Sequence, residues 1–498
     1  MNPLTLLSGS DIRGQAETDL NDGFINCLMS VWSRQLKEIT PDPLVVIGKD
    51  SRISGPRIEE CLGRALSRHG IRTIHLVTEP QWKHVSTTPE IFQAVGYFSA
   101  AAGIMITASH LPQSWNGLKF FSPEDSYSKD QIRNLLQGCL NDSICDDTVV
   151  LPDEITGKRQ AKDYLSVYAR GIVDLIRRGI GVDSSDSRPL NGLRILTDAG
   201  NGASGFFADY ILSPLGADIE GSLYLEPDGR FPHHVPNPED PDAIRDLSAA
   251  VVKHRADLGI IFDTDGDRSS VVLPDGRPVT HNRLLALIAA MTLSDHPGSY
   301  VVTDSVTSDG LSRFITARGG VHRRFKRGYA NVRNEMKRLN QSGLECWAGG
   351  ETSGHVMFRE NRYADDGCYT VARILIYMAR LKSRGYTLES VLSELQEPAE
   401  SRNWRIPIHS DDFQAAGRQC IEHLVRYASH RGLTMDTTEG VRISFRSGDF
   451  GSWILVRLSL HEPLLVVNAE SDQARGLTPM LDLLRHELAG FGFLTLDF

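Results

Sequence analysis

Short apolar runs alternate with amphipathic stretches through most of the chain. The runs LVVIG (44–48), GIMI (103–106), LGIIF (258–262) and YVV (300–302) read as buried strands, and GPRIEECLGRALSRHG (55–70) reads as a helix with one apolar face. This alternation predicts α/β layers with largely parallel sheets. The strand ends recur in pairs: LVVIGKDSR (44–52) with GIMITASH (103–110), LRILTDAGNGAS (193–204) with LGIIFDTDGDR (258–268), and YVVTDSVTSDG (300–310) with CWAGGETSGH (346–355). Three similar mixed α/β units follow, each with an early and a late strand-to-loop transition.

The texture changes after residue 396. NWRIPIH, VRISFR, GSWILVRLSL and PLLVVNAES read as strands with two helical stretches among them, which predicts a smaller, mainly antiparallel α+β domain. The predicted domains are 1–155, 156–277, 278–396 and 397–498, with ITGKRQAKDYLSVYARGIVDLI (155–176) as an entry helix to the second and LPDGRPVTHN (273–282) as a turn before the third.

Composition narrows the function classes. A formal charge of −10 over 498 residues leaves no broad basic footprint for nucleic acid or anionic membrane, so an anionic ligand would need focused sites. The seven cysteines are scattered without a CxxC pair, which argues against a disulfide framework and against a zinc site. No apolar run reaches the ~18 residues of a membrane helix, and the start MNPLTLLSGSDIRG has no signal-peptide pattern, so a cytoplasmic location is expected.

In open α/β sheets, ligands gather beyond the carboxyl ends of the strands, which makes TASH, DTDGDR and GGETSGH candidates for three walls of one site. FDTDGDR places Asp263, Asp265 and Asp267 at alternating positions, where an extended loop would aim three hard carboxylates to one side. Mg²⁺ suits such a set, particularly with a phosphate oxygen as a further ligand; a surface Asp/Gly turn is the plain alternative. An EF-hand starting at Asp263 would need Gly at its sixth position and Glu at its twelfth, where Arg268 and Pro274 stand. FDTDG also resembles the nucleophile loop of haloacid-dehalogenase phosphatases, with Asp267 where Thr is usual, so a Mg²⁺-dependent phosphatase using Asp263 is the hydrolytic alternative.

TASHLP lacks the GxSxG elbow of acyl hydrolases, so Ser109 is better suited to carry phosphate than to attack an ester; the structural alternative is a helix cap. GGETSGH offers Glu351, Ser353 and His355 to sugar hydroxyls. FKRGYANVR sets Lys326 and Arg327 before a glycine and a predicted helix start, an anion-binding corner or a solvated basic patch, and SGSDIRG presents Arg13 between polar and flexible residues.

Taken in order, SGSDIRG, TASHLPQSWNGLKFF, FDTDGDR, KRGY and GGETSGH resemble the α-D-phosphohexomutase superfamily across nearly the whole chain. The resemblance implies three α/β domains and a mobile C-terminal domain around a central cleft. It implies an active-site phosphoserine at Ser109 that also ligates Mg²⁺ with Asp263, Asp265 and Asp267, and places Arg268, His110, Arg13, Lys119 and His355 in phosphate stabilisation and proton transfer. Glu351 and Ser353 would grip the sugar, with Lys326, Arg327, Arg457, Ser459 and His461 on its phosphate. The partners implied are a hexose phosphate and a hexose bisphosphate intermediate. One loop departs from the family form RxSGTEP or RxSNTEP: RLSLHEP (457–463) replaces the small residue and the threonine with Leu460 and His461. This bears on whether mannose, glucose or glucosamine phosphate is preferred, and a non-catalytic sugar-phosphate-binding relative is the reading it motivates.

Overall fold

The computed structural model describes residues 2–141, 159–182, 187–447, 450–459 and 462–497. They form two compact units, Met1–Leu284 with Ser353–Leu388, and Leu285–Thr352 with Glu389–Phe498.

The first unit contains two sheets. One has seven strands, β1 (Leu7–Ser8), β2 (Asp11–Gln15), β3 (Leu44–Lys49), β4 (Arg72–Val77), β5 (Ala102–Ile106), β6 (Trp115–Phe121) and β7 (Arg159–Asp163), in the order β1-β2-β6-β5-β3-β4-β7. Pairings among β5, β3, β4 and β7 are parallel, while β1, β2 and β6 add antiparallel partners. All of β5 is buried, as its unbroken apolar run requires when both faces are covered. Helices Asp22–Ile39 and Gly55–Arg68 pack on this sheet around Trp32, whose ring meets Phe120 edge-on at 5.0 Å.

The stretch read as an entry helix divides in two. Arg159–Asp163 is the edge strand β7, and the helix spans Leu165–Ile180. RQAKD is mostly exposed and pairs only with β4, so it carries no alternating apolar signal; residues 155–158 lie outside the described residues.

The second sheet has strands β8 (Ile195–Asp198), β9 (Leu258–Phe262), β10 (Ser269–Val272) and β11 (Pro278–Val279), in the order β11-β10-β9-β8. β9 and β10 pair antiparallel with Phe262 opposite Ser269, so the acidic loop is the turn that joins them.

In the second unit, strand Tyr300–Asp304 is flanked by Val321–Phe325 and Cys346–Gly350 in parallel. The C-terminal part holds five strands, Glu400–Pro407, Thr434–Asp436, Val441–Ser447, Phe450–Leu458 and Leu464–Ser471, all paired antiparallel, as the change of pattern after 396 predicts. Alternate residues Leu465, Val467 and Ala469 face a core shared with Cys420 and Leu424 of helix Phe413–His430 and Leu484 of helix Leu477–Leu488.

Candidate active site

Thr107, Ala108 and Ser109 leave the end of β5, and the next regular element is the strand β6, so Ser109 caps no helix. Ser109 is buried and its backbone lies in the left-handed region at φ +51°, uncommon for a residue with a Cβ and a mark of a position held by its surroundings. Its amide donates to Thr107 Oγ1 (2.9 Å), and that hydroxyl donates to Asp50 Oδ2 (2.6 Å). The Ser109 hydroxyl donates to Asp263 Oδ2 (3.0 Å) and accepts from Arg268 Nη2 (3.2 Å). Residues 109 and 263 thus meet across two sheets.

The β9–β10 turn is closed by Asp263 N donating to Arg268 O (3.2 Å) and by Gly266 at φ +70°, where a Cβ would meet Ser204 Oγ at 2.4 Å. Oxygens of Asp263, Asp265 and Asp267 come within 4.8 Å of one another, and all three residues are buried. Lys119 Nζ, from β6, donates to Asp265 Oδ2 (2.8 Å) and Asp267 Oδ2 (2.6 Å), and Arg268 Nε donates to Asp263 Oδ2 (3.0 Å).

Three carboxylates thus face two contacting cations, Lys119 and Arg268. Asp265 Oδ1 and Asp267 Oδ1 are buried with no hydrogen-bond partner. Enclosed, unpartnered carboxylate oxygens of this kind fit a hard divalent cation.

The charges have identifiable causes. Burial opposes ionisation of Asp267, but Lys119, His355 and Arg268 outweigh it and hold that carboxyl far below its usual range. Asp263 is pushed well up by burial and by the negative Asp267, against the opposing pull of Arg268. Burial also disfavours the Lys119 ammonium, yet Asp265 and Asp267 raise its pKa and keep it charged. Arg13, on β2, pairs with Asp11 at 2.8 Å; burial works against its charge, and Asp11 followed by Asp265 and Asp267 secures it. Opposite Arg13 in the ladder is Gly117, where a Cβ would meet Ile12 O at 2.5 Å and Thr107 O at 2.6 Å.

His110 and His355 carry opposite charge states. Burial, Arg268 and Arg13 push His110 down to about 3, so its ring is neutral; its Nδ1 accepts from Arg268 Nη2 at 2.7 Å, which leaves the proton on Nε2. Burial also opposes charge on His355, but the carboxylate of Asp365 on its Nδ1 overrides this and pushes it up to about 9. His355 and Asp365 both lie within reach of Asp267. Ser353 enters through its backbone, its carbonyl accepting from Arg268 Nη1 at 3.4 Å.

The remaining candidates belong to the second unit. Glu351 Oε1 accepts from Gly328 N (2.6 Å), immediately before helix Tyr329–Gln341, and Glu439 Oε2 accepts from Arg327 N (3.0 Å) and from Ser305 Oγ (2.5 Å). Arg327 Nε lies 3.4 Å from Asp304 Oδ2, which also accepts from Thr352 Oγ1 (2.9 Å). Arg457 Nε is buried without a hydrogen-bond partner; burial pulls its pKa down against the attraction of Glu439, and Arg327 repels it. Lys326 is exposed, and Ser459 Oγ accepts from Glu462 N at 3.2 Å. His461 and Leu460 lie outside the described residues.

Models of the three α/β/α domains of phosphoglucomutase/phosphomannomutase match residues 5–142, 169–276 and 280–398. The chain belongs to the phosphoglucomutase/phosphomannomutase family. It is 30% identical to a phosphomannomutase/phosphoglucomutase of Pseudomonas putida over 90% of this chain and 88% of that one. It is 31% identical to a phosphoglucomutase of Neisseria gonorrhoeae over 86% and 85%. The crystal structure of a phosphoglucomutase/phosphomannomutase family protein from Burkholderia thailandensis superposes with a TM-score of 0.76 at 26% identity, covering 99% of this chain and 98% of that one.

Within this family architecture several contributors escape a sequence reading. Thr88 donates to Asp265 Oδ2 at 2.5 Å from the start of helix Thr88–Tyr97, and only the Thr87–Glu90 capping box hints at a fixed position there. Asn237 Oδ1 accepts from Arg268 Nη1 at 3.3 Å from the loop FPHHVPNPED, and Asp365 stands next to the helix-capping Asp366.

Proposed function

We propose that this mutase interconverts hexose 1-phosphates and hexose 6-phosphates, with mannose and glucose phosphates preferred, through a phosphate carried on Ser109 and a hexose bisphosphate intermediate. The observation that carries the reading is the Ser109 hydroxyl 3.0 Å from Asp263 and 3.2 Å from Arg268, at the rim of the acidic cluster. A Mg²⁺ held by Asp263, Asp265 and Asp267 with a Ser109 phosphate oxygen would neutralise charge on the phosphoryl group.

The chain's own groups account for the rest of the chemistry. A sugar hydroxyl attacks phosphorus, the new O–P bond forms as the Ser109 Oγ–P bond breaks, and the bisphosphate reorients before its other phosphate returns to Ser109. Arg268 spans the serine and Asp263, and neutral His110 fixes the guanidinium by accepting from Nη2. His355, protonated beside Asp365, returns a proton to the sugar oxygen when phosphate goes back to the serine; its neutral form takes that proton in the opposite direction. Lys119 and Arg13 supply fixed positive charge.

The four segments 1–155, 156–277, 278–396 and 397–498 serve in turn as phosphoserine, metal, sugar and phosphate-binding domains. In this assignment Glu351 and Ser353 hold sugar hydroxyls while Lys326, Arg327, Arg457, Ser459 and His461 hold the substrate's other phosphate. No described helix is long and apolar enough to cross a membrane, and we assign the reaction to the cytoplasm, which cell fractionation checks.

A coupled assay primed with hexose 1,6-bisphosphate and offered mannose, glucose and glucosamine 1-phosphates tests the reading. Turnover of the first two above the third is expected. Absence of turnover on all three contradicts mutase activity toward hexose phosphates.

A further inference from the structure

Arg52 takes no part in the chemistry described so far, yet it is fully enclosed beside the reactive serine. From the turn after β3 its guanidinium donates to four backbone carbonyls of the reactive loop. Nη2 reaches Ser109 O and Leu111 O (2.6 Å), and Nη1 reaches Pro112 O (2.8 Å) and Trp115 O (2.9 Å). Its own segment is wedged in place, because Gly229 approaches so closely that a Cβ there would meet Ser51 O at 2.3 Å and Ile53 N at 2.6 Å. The ring of Phe231 lies 5.4 Å from the guanidinium carbon.

A second path leads back to the same residue. Asp50 Oδ2 lies 3.3 Å from Arg52 Nε and accepts from Thr107 Oγ1 (2.6 Å), Asp50 Oδ1 accepts from Arg52 N (2.9 Å), and Thr107 Oγ1 accepts from Ser109 N (2.9 Å). The carbonyl and the amide of Ser109 are therefore both bound into one ring of side chains, Arg52 to Asp50 to Thr107. A serine rarely enters the left-handed region unless its neighbours hold it there, and both polar groups of this one are held.

We propose that Arg52, acting with Asp50 and Thr107, is a positioning residue that fixes Ser109 in its left-handed conformation and so aims Oγ at Asp263 and Arg268. The guanidinium suits the task because its planar fork serves several carbonyls at once, which a lysine ammonium does not reproduce. Misplacing a reacting atom by about 1 Å costs about 100-fold in rate, so the ring acts on chemistry more than on affinity.

Full-length Thr107→Val, Thr107→Ser and Arg52→Lys proteins, crystallised and assayed beside the wild type, test this. Thr107→Val and Arg52→Lys are expected to move Ser109 out of positive φ, while Thr107→Ser, which keeps the hydroxyl, retains it. With glucose 1-phosphate and the bisphosphate primer, kcat is expected to fall about 100-fold in Thr107→Val with KM changed less than about twofold, and Thr107→Ser to restore it. Should burial of the substituted side chain prevent Arg52→Lys from folding, the Thr107 pair carries the test. Ser109 remaining near φ +51° in Thr107→Val overturns the proposal, as does wild-type kcat in that variant. The kinetic arm rests on the mutase reading and the crystallographic arm does not. A backbone shift in variants of a wild type that turns over no hexose phosphate would sink that reading and leave the positioning role standing.

Discussion

Around Ser109 the charged groups are enclosed and tightly cross-linked: Lys119 binds two aspartates, Arg268 binds the third and the serine itself, and His355 is tied to Asp365. Around Arg327 in the second unit the basic groups are more open, with Arg327 and Arg457 partly exposed and Lys326 exposed. Carboxylates occupy the donors there, Glu439 on the Arg327 amide and Glu351 on the Gly328 amide. The contrast fits the roles we propose for the two regions: phosphoryl transfer depends on fixed positions and fixed charges, whereas holding the rest of a substrate makes smaller demands on both.

Substitutions put that contrast to the test. The largest loss is expected for Ser109→Ala, which removes the group we propose to carry phosphate: turnover falls by about 10⁴-fold or more while hexose phosphate binding, measured by calorimetry, remains. Unchanged turnover would remove Ser109 from the reaction. Lys119→Met should lower kcat by about 10²- to 10³-fold, because it strips a donor shared by Asp265 and Asp267. Arg457→Ala should act differently, raising KM for the hexose phosphate about tenfold with kcat within about threefold. A loss confined to kcat in that variant would erase the difference between the two regions.

The smallest effect concerns the scaffold that carries Thr88. Glu90 is fully buried, and burial pushes its carboxyl up to about 8 despite the hydrogen bond from Thr87 N. The folded protein therefore holds this proton up to about pH 8, while the unfolded chain releases it near its ordinary value of 4.5. The stability contributed is complete below about pH 4.5 and is lost as pH rises through about 8. Urea midpoints should fall between pH 6 and 9, and Glu90→Gln should flatten the decline. An unchanged slope in the variant would show that another group is responsible.

The acidic loop was readable in the sequence because its chemistry is local: three aspartates within five residues follow an apolar strand, and the chain places them where that spacing implies. The antiparallel C-terminal sheet was readable for a similar reason, since residues 464–469 of strand Leu464–Ser471 alternate less buried and buried positions. Arg52, Thr88 and Asp365 were not readable. Arg52 and Thr88 contact backbone carbonyls or a carboxylate that the fold brings from distant segments, 57 residues away for Arg52 to Ser109 and 177 for Thr88 to Asp265, while Asp365 meets the His355 ring from 10 residues away with no periodic pattern to announce it. The polar edge strand Arg159–Asp163 escaped because a strand paired on one side needs no apolar face.

The most direct measurement locates the transferred phosphate. Protein incubated with a hexose 1,6-bisphosphate should gain one phosphate, stable to acid and labile to base, on the peptide containing Ser109, and a chase with hexose 6-phosphate should remove it. A hydroxylamine-sensitive phosphate on Asp263, or no phosphate at all, would contradict the account.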